Sequence, residues 1–107
     1  MKVVGVCACP AGIAHTYLAA ENLENVAKKR GHKIKIETNG SSGVENRLST
    51  DDIAEADTVI IAADTKVEMQ RFKEKKLVEI SVTDAIRKAD EIFEKIEEDT
   101  ITIYKER

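Results

Sequence analysis

Val3-Val4-Gly5-Val6-Cys7-Ala8-Cys9-Pro10-Ala11-Gly12-Ile13-Ala14-His15-Thr16 reads as a strand, a short loop and the start of a helix. The run Val3 to Ala8 is almost continuously apolar, the pattern of a central parallel strand buried on both faces. A helical pattern begins near Ala14. Leu18, Ala19, Ala20, Leu23, Val26 and Ala27 recur at helical spacing, with Glu21, Glu24 and Lys28 left for the wet side. Gly31 is placed to close that helix as its C′ residue. Cys9 therefore ends a strand and faces a Gly-containing loop and a helix start. Backbone N–H groups and the positive end of a helix make such a loop an anion site. The same field favours thiolate over thiol, which makes Cys9 a candidate nucleophile. The pattern points to phosphoryl chemistry on sulfur.

Working outward, His32 to Thr38 alternates Ile34 and Ile36 with Lys33, Lys35 and Glu37, and alternation with the lysines outward predicts a half-exposed strand of the kind found at a sheet edge. Asn39-Gly40-Ser41-Ser42-Gly43 reads as a loop. Ser49 or Thr50 can cap a short helix running to about Ala56. Thr58 to Ala63 is a second buried strand, Met69 to Phe72 a helical turn, and Leu77 to Val82 a fourth strand. Thr83 is expected to cap a final helix through roughly Ile96. Thr100 to Tyr104 fits either an added strand or an exposed extension.

Alternating strands and helices predict an α/β fold, an open three-layer sandwich with right-handed crossovers. A charged second strand beside an apolar first one gives a four-stranded parallel sheet of order 2-1-3-4, similar to the flavodoxin and low-molecular-weight phosphatase type. The topology switches between strands one and three, where ligands bind beyond the strand ends. Cys9 falls there, and the loops after Thr38 and Ala63 are expected to line the same crevice.

The 107 residues suit one domain, 1–107, with 98–107 as an extension. A net charge of −3 argues against nucleic acid as a partner, because phosphate neutralisation needs a basic surplus. Lys28, Lys29 and Arg30 fall in a last helical turn, where they complement the helix dipole. No apolar stretch is long enough to cross a bilayer, and the N-terminus has no signal-peptide layout. The expectation is a cytoplasmic protein without direct membrane insertion. Two cysteines two residues apart make no disulfide framework.

In the loop, Gly12 allows close approach of backbone to an oxyanion, and Pro10 lacks an N–H but stiffens the turn. The candidate phosphate cradle is Pro10, Ala11, Gly12, Ile13, Ala14, His15 and Thr16. His15 either donates to phosphoryl oxygens or caps the first turn; Thr16 either bonds the thiolate or phosphate or is an ordinary first-turn residue. Cys7 is expected to pack in the strand on the same side as Cys9. A Cys7–Cys9 redox pair is a minor reading because a bridge at that spacing strains the backbone, and zinc motifs rarely use the Cys7, Cys9, His15 spacing. No cofactor or metal is expected. The spacing also resembles low-molecular-weight tyrosine phosphatases, with His15 where their Arg stands. Without a bidentate guanidinium, charge on an incoming phosphoester is less well stabilised, so a phosphatase is kept as an alternative.

The stretch Val6 to Glu21, Val-Cys-Ala-Cys-Pro-Ala-Gly-Ile-Ala-His-Thr-Tyr-Leu-Ala-Ala-Glu, resembles the fructose-specific IIB component of the bacterial sugar phosphotransferase system. Glu37 to Gly43 and Ala54 to Asp64 match as well, Arg71-Phe72 more weakly, and the likeness runs to about Ala89. The resemblance implies that Cys9 takes a phosphoryl group from a histidine of a IIA component. It then passes the group to a sugar, fructose by default, held by a membrane-embedded IIC component, with which the chain associates at the inner face. Many members have Thr at the position of Ala11 and Gln at that of Asn39. Those departures leave the reaction class intact and make sugar preference and partner fit less secure. The tail beyond Ala89 lies outside the match. Lys66 and Glu68 are read either as partner contacts or as solvated loop charges. A regulatory module whose phosphorylation state is read by a transcription regulator is the other alternative.

Overall fold

The computed structural model describes residues 1–9, 13–40, 43–101 and 103. Its elements are β1 (Lys2–Ala8), α1 (Ile13–Lys29), β2 (Lys33–Gly40), β3 (Gly43–Glu45), α2 (Thr50–Glu55), β4 (Thr58–Ala63), a 3₁₀ turn (Gln70–Phe72), β5 (Leu77–Ile80), α3 (Val82–Arg87) and α4 (Ala89–Glu97). The sheet order is β3-β2-β1-β4-β5. β2, β1, β4 and β5 run parallel in the order expected from the sequence.

The central strand is apolar because both its faces are covered. Val3 and Cys7 join the core under α1, α3 and α4, while Val4 and Val6 join the core under α2 and the 3₁₀ turn. All four are fully buried, and each valine contributes about 1.5–3 kcal/mol by leaving water. Gly5 lies on the α1 side, where a Cβ would stand 2.7 Å from Ile36 Cδ1 and 3.2 Å from the Ile60 carbonyl oxygen. The missing side chain is what lets Ile36 reach across β1.

Local signals place the element ends. At the end of α1, the His32 N–H reaches the Ala27 carbonyl (2.8 Å) and the Gly31 N–H reaches that of Lys28 (3.1 Å). This is a Schellman closure with Gly31 at φ 81°, a conformation that favours glycine. Ser49 caps α2 in a reciprocal box with Asp52.

Several expectations need correction. The sheet has five strands, since Gly43–Glu45 pairs antiparallel with Thr38–Gly40. Asn39 and Gly40 thus extend β2 and Gly43 opens β3, where a loop was expected; Gly43 at φ 115° supplies the left-handed backbone that starts the return strand. β2 is the edge only along its first half. The final helix is two helices, and its cap is Ser81, whose hydroxyl accepts from the Asp84 N–H at 3.0 Å. Thr83 lies inside the first turn, and Val82 is helical where a strand residue was expected. Buried Val82, Ala85, Ala89, Ile92, Phe93 and Ile96 would suit one continuous helix. Instead Asn22 of α1 donates to the carbonyls of both Ala85 and Ile86 at 2.9 Å, the acceptors a continuous helix would use for residues 89 and 90. Lys88, at φ −124° and ψ 25°, makes the bend. The tail forms one antiparallel bridge, Lys76 with Ile103, and half-buried Ile101 packs on the α1-side core. Among the described residues no helix is long and apolar enough to cross a membrane.

Candidate functional site

β1 passes to β2 through α1 on one face, and the chain then crosses to β4 through α2 on the other. The carboxyl end of β1 is therefore the switch point of the sheet. Ala8, the last residue of β1, stands in register with Asn39 on one side and Ala63 on the other. Cys9 follows directly, half-buried. The Asp64 N–H donates to the Ala8 carbonyl at 3.0 Å, so the chain leaving β4 closes against the end of β1. The chain leaving Ala63 therefore stands beside the end of β1, as expected, whereas after Thr38 the chain continues as strand to Gly40, and residues 41 and 42 of the expected loop lie outside the described residues.

The two thiols differ in surroundings. Cys7 has no exposed surface; burial, with a smaller contribution from the Glu24 charge, pushes its thiol up to about 12. It is a neutral packing group at physiological pH. Cys9 packs on the edge of the same core and keeps access to solvent, on the same side as Cys7.

Of the expected cradle, Pro10, Ala11 and Gly12 lie outside the described residues. Ile13 opens α1, and Ala14, His15 and Thr16 occupy its first turn. Ala14 and His15 are exposed, whereas Thr16 is 1% exposed, enclosed beneath the turn. Tyr17, part-exposed beside them, donates its hydroxyl to Glu45 of β3, a bond that holds the phenol above its ordinary pKa. α1 is thus tied to the hairpin on the far side of Cys9.

Glu37 is the residue that sequence reasoning missed. From the sequence it stood out only as an alternating residue of a half-exposed strand and as part of a matched stretch, yet its side chain is 1% exposed. Arg71 grips it in a fork, Nη1 to Oε1 at 2.8 Å and Nη2 to Oε2 at 2.6 Å. The Leu48 N–H donates to Oε1 at 2.9 Å and Asn39 Nδ2 to Oε2 at 3.0 Å. Burial alone pushes the carboxyl up, but Arg71, Leu48 and Asn39 together outweigh it and bring it down to about 2. Both Glu37 and Arg71 sat in matched stretches of sequence, 34 residues apart; nothing in the periodicity joined them.

Lys66 and Glu68 are separated by the structure. Lys66 lines a cavity of about 490 Å³ with Asp64, Thr65, Met69 and Glu79, beyond the ends of β4 and β5. Glu68 pairs loosely with Arg47 at 3.6 Å, both largely exposed, an arrangement worth little.

Comparison with known proteins adds the following. A family model described as "PTS system, Lactose/Cellobiose specific IIB subunit" matches residues 4–95. The "PTS system fructose-like EIIB component 2" of Escherichia coli K12 is 47% identical over 97 residues, covering 90% of this chain and 92% of that protein. The "PTS system fructose-specific EIIABC component" of Bacillus subtilis is 46% identical over 104 residues, 97% of this chain and 16% of that protein. The chain thus spans about a sixth of that relative's length. A solved domain of a fructose-specific IIABC component from Borrelia burgdorferi superposes with a TM-score of 0.92 at 40% identity, covering 96% of this chain and 97% of that one.

Proposed function

This chain belongs to the IIB family of the sugar phosphotransferase system, and from that premise we propose that Cys9 is the residue that carries the phosphoryl group. The observation behind this reading is the half-buried thiol one residue past β1, at the switch point of the sheet, before the N-terminus of a 17-residue helix. Helix dipole and terminal N–H groups favour an anion there, and Cys7, the other thiol, is sealed in the core.

The reaction has two steps. The Cys9 thiolate attacks the phosphorus of a phosphohistidine on a IIA component; an S–P bond forms, the N–P bond breaks, and its electron pair stays on the imidazole nitrogen. A sugar hydroxyl held by a membrane IIC component then attacks the same phosphorus. The S–P bond breaks, Cys9 returns as thiolate, and the hydroxyl proton passes to water. The names of the relatives point to fructose as the sugar. The chain itself meets the membrane through IIC.

The test is incubation with a phosphorylated IIA component followed by mass mapping. One phosphoryl group on Cys9 is expected, absent in Cys9→Ser and retained in Cys7→Ser; equal loss in both variants overturns the assignment. Adding membranes that bear IIC with fructose is expected to discharge Cys9 and yield sugar phosphate. A chain that keeps its phosphoryl group under those conditions is a signalling module instead.

A further inference from the structure

Asp64 stands across from Cys9. The β1–β4 ladder pairs Cys7 with Ala62 and Ala8 with Ala63, and the Asp64 N–H carries it one step further by donating to the Ala8 carbonyl at 3.0 Å. The next positions in that register are Cys9 and Asp64, one strand spacing apart, about 4.8 Å. Their side chains share a face. Residues two apart on a strand point the same way, and Cys7 and Ala62 both belong to the core under α1, α3 and α4. Two contacts agree with this. Cys9 packs on that core, and Asp64 Oδ1 accepts from the N–H of Val82, the first residue of α3, at 3.2 Å.

That bond anchors one carboxylate oxygen. The other, Oδ2, has no hydrogen-bond partner among the described residues, and Asp64 is exposed. The residue also lines the cavity of about 490 Å³ beyond the ends of β4 and β5, so a substrate can approach it from the open side. A carboxylate this near a phosphoryl group repels it; Lys66, in the same cavity lining, offsets part of that charge.

The two transfer steps make different demands on such a group. When the Cys9 thiolate takes the phosphoryl group from a phosphohistidine, no hydroxyl proton is released and the carboxylate has nothing to accept. When a sugar hydroxyl attacks, its proton must leave as the oxygen bonds to phosphorus. That oxygen arrives on the side of phosphorus away from the sulfur. A proton acceptor therefore belongs a phosphoryl group's width from Cys9 and about 2.6–3.2 Å from the hydroxyl. A side chain one strand across, on the same face and beside an open cavity, suits that distance. Taking the proton also removes the negative charge, so the repulsion felt before reaction is relieved in the transition state.

We infer that Asp64 is the general base of the second step: Oδ2 takes the proton of the attacking sugar hydroxyl as the S–P bond breaks, and then passes it to water. This rests on the reading of Cys9 as the phosphoryl carrier.

The experiment times the two steps separately, for wild type and Asp64→Asn. Asn keeps an oxygen for the Val82 N–H but is no base. Phosphorylation of Cys9 by a phosphorylated IIA component is expected to stay within about twofold of wild type. Discharge of the phosphorylated chain by fructose on membranes bearing IIC is expected to slow about 100-fold or more, at saturating fructose as well. Discharge within about threefold of wild type would overturn the inference and place the base outside this chain. An equal loss in both steps would also overturn it, because a structural or purely electrostatic role does not single out the step that releases a proton. If Asp64→Asn does not fold, Asp64→Ser, whose hydroxyl can accept from Val82, is put to the same two measurements with the same expected split. Failure of wild type to label at Cys9 would instead remove the carrier reading itself, so the two failures are told apart.

Discussion

Replacing Arg71 by methionine strips the fork from Glu37 while leaving both carboxylate oxygens inside the protein. In the wild type the carboxyl lies at about 2, against an ordinary 4.5; at about 1.4 kcal/mol per pH unit, that difference corresponds to about 3 kcal/mol. A depressed carboxyl contributes fully above its unfolded value and loses its contribution as pH falls towards the folded one. Roughly 2 kcal/mol of it is therefore gone by pH 3, and the rest below about pH 2. In Arg71→Met the carboxylate is buried without its main partner, which costs about 3–5 kcal/mol at neutral pH. Burial then dominates and raises the carboxyl, so acid neutralises an unpaired charge and relieves the variant. The signs are opposite, and the stability gap between the two proteins is expected to narrow steadily from pH 7 to pH 3. Asp52, lowered by its bond to Lys35, and Glu97, lowered chiefly by its bond to His32, also weaken the fold in acid, but they do so in both proteins and cancel. Urea unfolding followed by far-UV circular dichroism suits a chain with no Trp. Glu37→Gln with Arg71→Met is the control: the Gln carbonyl can still accept from Leu48, no charge is stranded, and the profile flattens. Parallel profiles for wild type and Arg71→Met would refute the reasoning.

Three further outcomes follow from the geometry. Iodoacetamide near pH 7 is expected to alkylate Cys9 in the native protein and to reach Cys7, buried and raised to about 12, only after denaturant is added; mass mapping decides, and native labelling of Cys7 would contradict its placement. Gly5→Ala, whose new methyl meets Ile36 Cδ1 at 2.7 Å and a main-chain oxygen at 3.2 Å, is expected to cost about 1–3 kcal/mol and to lower Tm by several degrees in calorimetry. Asn22→Ala removes the donor from the Ala85 and Ile86 carbonyls and is expected to cost about 1–3 kcal/mol in the same assay; no loss would mean that water replaces the amide there.

What the sequence made legible was what neighbouring residues decide. The apolar run of β1, Gly31 at the end of α1 and Ser49 before α2 each act within a few positions, and the structure keeps all three. Features that depend on distant residues were not legible. Val82 to Ile96 carries an unbroken helical pattern, and the break comes from Asn22, more than 60 positions earlier. The alternation in β2 correctly set Lys35 and Glu37 on one face. It could not tell that α2 and the 3₁₀ turn cover the end of that face, because a charged residue at every second position looks the same whether it meets water or a paired guanidinium.

The site divides along the same line, and the two cysteines show why. A strand pleat sends residues two apart to the same face, so Cys7 and Cys9 lie on one side of the sheet and no periodicity separates them. The separation is made by the ladder. Cys7 is flanked by Thr38 and Ala62 in register, with a helix-covered core above it, and its thiol stays neutral and sealed. Cys9 lies one residue beyond the last paired position, where β1 has ended and α1 has yet to begin. The sulfur keeps its packing on one side and gains solvent on the other. Where the strand stops decides which thiol can meet a phosphoryl donor, and that boundary is set by the register of β1 against Asn39 and Ala63. Extending that pairing by one residue would bury Cys9 in the ladder as well, which makes the carboxyl end of β1 as much a part of the proposed chemistry as the sulfur itself.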